Sequence, residues 1–207
     1  MSEQTWSEFR LTAFGEPYMV WHDGPDFGEF ARLWAADAPG VESLLRLGLD
    51  EQDALAAEAL GEIALSDGSK AAFVALLAGS ATASSGGYRV RAAQTLHQLT
   101  GNEHWSAQVV AVLLGPDFWT VHLDAARALA TFAPTAELIT AVAQGMTDKD
   151  YLVRYHSANT MLHYCGRPMD VYAVPNLFDR IAEDTKPKLW SLAAAELAAE
   201  ALIRLHS

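Results

Sequence analysis

A nine-residue helical block returns along this chain at intervals of 33, 32 and 36 residues. It reads large-apolar, Arg-like, two free positions, two small residues, two free positions, large-apolar. Tyr88-Arg89-Val90-Arg91-Ala92-Ala93-Gln94-Thr95-Leu96 fits, as does Val121-His122-Leu123-Asp124-Ala125-Ala126-Arg127-Ala128-Leu129. Val153-Arg154-Tyr155-His156-Ser157-Ala158-Asn159-Thr160-Met161 is a third copy, and Leu189 to Leu197 is a looser fourth. A fixed period in this range is the signature of stacked helical pairs, in which each unit buries its apolar face only against its neighbours.

In the Val121 copy, Val121, Ala125, Ala128 and Leu129 recur at helical spacing and form one apolar stripe. The small pair in the middle lets a second helix approach, because a bulky side chain would hold the two axes apart. That second helix is readable after each block, as Val109–Leu114, Leu138–Val142 and Val174–Ile181. Between units stand turn formers: Gly115-Pro116-Asp117, Asp148-Lys149-Asp150 and Asp184-Thr185-Lys186-Pro187. Asp before a helix accepts from its free N–H groups, and Pro suits the first helical turn.

The acidic turn, the Val-Arg start, the small pair and the Leu that follows resemble the HEAT repeat and its HEAT-like bacterial relatives. The match is clearest over residues 84 to 183 and extends from about residue 41 to the C-terminus. An earlier copy is degenerate: Ala56-Ala57 and Leu60 are in place, but Gln52 stands where an apolar residue belongs. Its second helix is Ala71–Leu77, and Val41–Leu47 ends a capping pair that begins near Phe27. The resemblance implies an all-α chain, an α-solenoid of about five HEAT-like helical pairs over residues 26–207. Residues 1–25 then form a non-repeat N-terminal cap. The family's Arg supports the inter-repeat turns, and His122 and Trp190 depart from it.

Residues 6 to 21 alternate: Trp6, Phe9, Leu11, Ala13, then Gly15-Glu16-Pro17, then Tyr18, Val20 and Trp21. The pattern fits either a small hairpin or a short helix with an extended arm. So many aromatic residues are hard to justify in a mobile tail, and the segment is expected to dock on the exposed end of the stack.

Composition narrows the function. The formal net charge is −12, and residues 26–62 carry nine acidic residues against Arg32 and Arg46. Nucleic-acid binding depends on neutralising phosphates with a basic face, so direct DNA or RNA binding is disfavoured, as is attachment to anionic lipid. An acidic surface fits a basic protein partner, and it equally serves solubility. The single cysteine, Cys165, rules out an internal disulfide framework and suits a reducing compartment. No apolar run approaches the roughly 18 residues of a membrane span. The start Met1-Ser2-Glu3-Gln4 lacks the features of a secretory signal, so the expected location is cytoplasmic.

Residues with chemical potential are few. His22-Asp23 lacks companion pairs, and a turn explains it. His156, His163 and Cys165 share one helix at a spacing unlike a closed zinc site. There is no Gly-x-Ser-x-Gly and no phosphate loop. No catalytic residue, metal or cofactor is assigned. Two enzyme classes with HEAT-like repeats stand as alternatives. Alkylpurine DNA glycosylases use Trp and Asp on a basic groove; Trp105, Trp119 and Trp190 suit that pattern, but the charge does not. Bilin lyases tolerate acidity, but no residue here is committed to chromophore chemistry.

The leading expectation is a non-enzymatic module that holds a basic protein on a curved helical surface. An immunity protein that neutralises a cytoplasm-acting toxin fits this description, and so does a general adaptor or assembly factor. In HEAT-like stacks the second helices line the concave side. Aligned through the turns, Ala107, Thr140 and Asn176 form one row and Ala111, Gln144 and Arg180 another, with Glu137, Asp179 and Glu183 beside them. The candidate partner-binding residues are therefore Glu137, Thr140, Gln144, Asn176, Asp179, Arg180 and Glu183.

Overall fold

The computed structural model describes residues 4–67 and 70–207; Met1, Ser2 and Glu3, used above in reading the N-terminus, lie outside the described residues. The described residues are all-helical, with thirteen α-helices, two short 3-10 turns and no strand. No helix among them is long and apolar enough to cross a membrane.

The N-terminal alternation is helical, which corrects both expectations: α1 and α2 replace the hairpin, and the segment after Pro17 is a helix rather than an extended arm. In α1 (Trp6–Phe14) a capping box fixes the start: Thr5 Oγ1 accepts from the Glu8 N–H (3.3 Å), and the Glu8 carboxylate accepts from the Thr5 N–H (3.0 Å). Pro17 opens α2 (Pro17–Asp23), and Asp26 caps α3 (Phe27–Ala36) by accepting from the Gly28 N–H. Trp6, Phe9 and Phe14 are buried with Phe30 of α3. Each such side chain contributes about 1.5–3 kcal/mol by leaving water. Gly48 of α4 (Ala38–Asp50) makes room for the docking: a Cβ there would lie 2.6 Å from the Trp6 ring. The Trp6 Nε1–H donates to Asp53 at 3.0 Å, so the indole is satisfied as it is buried.

Helical pairs follow: α5 (Ala54–Asp67) with α6 (Lys70–Ala81), α7 (Gly86–Thr100) with α8 (Ser106–Leu113), α9 (Trp119–Leu129) with α10 (Ala136–Gly145), and α11 (Tyr151–Tyr164) with α12 (Leu177–Ala182). The long α13 (Pro187–Leu205) closes the chain. Among the first helices, α5, α7, α9 and α11 each pack on the next member of the series, ending on α13. The small pairs lie at these crossings: Ala56-Ala57, Ala92-Ala93 and Ala125-Ala126 are fully buried, and so are Ser157-Ala158. Close approach lets side chains bond to neighbouring backbones. Thr160 Oγ1 donates to the Ala126 carbonyl (2.7 Å), the Tyr164 hydroxyl to Leu129 (2.7 Å) and the Cys165 thiol to Leu197 (3.4 Å).

The second position of each block works at the turns. Arg154 is wholly buried, yet nearly every donor is used. Its Nη1 donates to the carbonyls of Asp148 (2.9 Å) and Lys149 (3.0 Å) in the turn before α11. Its Nε donates to Ile181 O (2.7 Å) and its Nη2 to the Asp184 carboxylate (2.5 Å) after α12. Trp190, at the same position one copy later, donates from Nε1 to Glu183 O (2.9 Å). His122 reaches only forward, from Nδ1 to Asp148 Oδ2 (3.2 Å). Because a carboxylate can only accept, Nδ1 carries the proton in that bond.

Two elements depart from the sequence reading. The segment expected as a helix over Val174–Ile181 is instead a 3-10 turn at Val171–Ala173 followed by the six-residue α12. Pro175 lacks a backbone donor, and Asn176 adopts a left-handed conformation (φ 60°), so the helix starts only at Leu177. The second departure is α13, which packs on α10 and α12 as well as on α11.

Candidate partner-binding surface

The residues expected on the second helices are all solvent-accessible. Glu137, Thr140 and Gln144 lie on the outer side of α10, opposite buried Leu138, Ile139 and Val142. Asp179 and Glu183 are exposed on α12 and its end. Asn176 precedes α12 in its left-handed turn and so does not extend a helical row. Arg180 is half-buried and tied to Glu196 of α13 (2.6 Å). With α13 packed on α10, the line from α10 to α12 is interrupted.

A different surface gathers polar groups along the first helices. Two hollows, of about 270 and 350 Å³, share Arg91 and Gln94 and run across α5, α7 and α9. Glu58 and Arg91 pair at 3.3 Å, and Arg91 also donates to Gln94 (3.3 Å). Burial raises the Glu58 carboxyl above its ordinary range against the pull of Arg91, with Glu62 adding to the rise. Asp124 is likewise raised by burial, against Arg91 and Arg127. On α11, burial lowers His156, and Arg127 lowers it further. This furrow alternates in sign, and much of its charge is answered internally.

The turn edge of the molecule is more open and more apolar. Tyr151 and Tyr155 stand on the first turns of α11, Tyr172 on the 3-10 turn and Phe178 on α12. Tyr172 and Phe178 stack at 4.6 Å, Tyr151 meets Phe178 edge-on at 6.2 Å, and Tyr155 meets Tyr172 at 6.3 Å. Tyr172 is 62% exposed, so the cluster presents its centre to solvent. Burial first, then the Tyr172 and Tyr155 phenols, push the Tyr151 hydroxyl above its usual value. Aspartates adjoin these rings in sequence: Asp150 beside Tyr151, Asp170 two residues before Tyr172, and Asp179 beside Phe178. Of the sequence-derived candidates, Asp179 is the one next in sequence to a ring of this cluster.

Next to Asp150 a hollow of about 380 Å³ opens between Phe118, Trp119 and His122 on one side and Asp148 and Asp150 on the other. Phe118 is 68% exposed at its mouth. No periodic signal marks the aromatic cluster, because Tyr155 and Tyr172 are separated by a turn and 17 residues.

The histidine–carboxylate contacts are structural or superficial. His122 ties a turn, and His22 contacts Asp23 (2.6 Å) on an exposed helix end. No group of three His, Cys, Asp or Glu that could hold a metal occurs among the described residues. Cys165 is buried, and burial pushes its thiol up to about 11. Comparison of the chain with protein-family models, curated proteins and solved structures gives no match.

Proposed function

We propose that this chain is a HEAT-like α-solenoid that acts in the cytoplasm as a non-enzymatic binder of a basic protein. The observation that carries the reading is the open cluster of Tyr151, Tyr155, Tyr172 and Phe178, whose rings are interspersed in sequence with Asp150, Asp170 and Asp179. Tyrosine-rich, solvent-presented centres surrounded by polar residues are where interfaces concentrate their binding energy. Carboxylates around such a centre steer and select a positively charged partner. The solenoid reading draws on the 32-to-36-residue spacing, the buried small pairs and the turn-binding side chains of His122, Arg154 and Trp190. An immunity protein that covers a basic toxin domain is the specific form favoured by the net charge of −12. The exposed carboxylates Glu137, Asp179 and Glu183 add to the negative charge of the surface.

Affinity capture from source cells, read by quantitative mass spectrometry, tests the proposal. Wild type should retain one near-stoichiometric basic protein, and Tyr172→Ala should lose most of it without loss of helicity. Retention unchanged by Tyr172→Ala removes the cluster from the interface. A partner that is acidic, or is nucleic acid, defeats the reading.

A further inference from the structure

The hollow at His122 is the place between two successive turns that an arginine fills one copy later. In the next copy Arg154 spans from the Asp148-Lys149 turn to the Ile181–Asp184 turn, donating to both. Its guanidinium also lies 3.9 Å from the centre of the Trp190 ring. At the corresponding place between the Asp117 turn and the Asp148–Asp150 turn, the side chain is the shorter His122. It bonds Asp148 and leaves a space of about 380 Å³. Its walls differ from those around Arg154, which are mostly backbone carbonyls, but they offer a guanidinium both kinds of contact: the indole of Trp119, the ring of Phe118, and the carboxylates of Asp117, Asp148 and Asp150. Lys149 is the sole cation among the lining residues.

We propose that this inter-turn slot receives an arginine side chain of the basic partner, which supplies in trans the guanidinium that Arg154 supplies in cis. This rests on the protein-binding reading above and adds the chemistry of the contact. A planar guanidinium can stack on an aromatic face and donate to carboxylates at the same time. An ammonium lacks the planar fork, so arginine is preferred over lysine.

The test uses the full chain and small probes. N-acetyl-arginine amide, its lysine counterpart and the uncharged isostere N-acetyl-citrulline amide are titrated while the Trp119 indole N–H is followed by NMR. Arginine should shift that signal in wild type, lysine less, and citrulline not at all. His122→Arg should fill the slot from within, raise Tm by about 2–4 °C and abolish the arginine-dependent shift. Trp119→Leu, followed through the backbone amide of His122 instead, should keep its helicity and lose the arginine-dependent shift. Equal responses to arginine and citrulline, or an arginine response at Trp119 that survives in His122→Arg, would overturn the proposal. Partner capture that persists while the arginine response is absent sinks the slot alone. An arginine response with no basic partner captured sinks the protein-binding reading alone.

Discussion

The guanidinium of Arg154 lies 3.9 Å from the ring centre of Trp190, and the two residues hold the same block position in consecutive copies. One arginine thus joins the turn before its own helix, the turn after the next helix and the first helix beyond. Its partner Asp184 is largely exposed, so the ion pair itself adds little. The carbonyl acceptors matter more, because removing the arginine strands them in a buried place. Arg154→Leu should lower stability in urea unfolding by about 3–5 kcal/mol. Trp190→Phe, which loses the bond to Glu183 O but keeps a ring under the guanidinium, should cost about 1–2 kcal/mol. Equal losses from the two variants would show that the turn carbonyls do not depend on the guanidinium of Arg154.

The crossing of α9 and α11 depends on small residues. Ala126 is fully buried, and its carbonyl accepts from Thr160 Oγ1 across the crossing. Ala126→Leu should overpack this contact and cost about 1–3 kcal/mol, measured by thermal or urea unfolding. A neutral variant would show that the helices can separate without loss.

The elements legible in the sequence are those with local signals. The Ala-Ala pairs mark crossings that are buried, and Asp53 and Asp150 cap α5 and α11 as their positions before apolar helices imply. The N-terminal segment is ambiguous in sequence because two helices of nine residues and seven residues give too few turns for a period to emerge. The Thr5-x-x-Glu8 capping box was the signal that could have decided it. The shortening of α12 follows from Pro175 and the left-handed Asn176, neither of which changes the apolar spacing on which the rows rest. The aromatic cluster was beyond reach, since its members come from α11, a 3-10 turn and α12, and only packing brings them together.

Cys165 gives a pH-dependent prediction. Burial first, and then Glu200, raise its thiol from 9.0 to about 11 in the folded protein. A group whose folded value is raised contributes stability that is complete below the unfolded value. That contribution is lost as pH climbs from about 9 to about 11. At pH 8 the native thiol should react slowly with a disulfide reagent and become fast on denaturation. Stability should fall on the alkaline side, and Cys165→Ala should flatten part of the decline. Rapid reaction of the native protein at pH 8 would place the thiol at the surface.

The most direct measurement of the binding account is the association rate of the captured basic partner with wild type and with Glu137→Lys combined with Asp179→Lys. Both carboxylates are exposed in the first turns of their helices, so each reversal should weaken its helix start slightly and leave the helicity intact. Opposite fields accelerate encounter, and reversing two charges should slow association about 10-fold at low salt. The difference should shrink as salt rises toward roughly 0.5 M, because screening shortens the reach of the field. An association rate at low salt equal to that of wild type would contradict the account and move the interface away from these carboxylates.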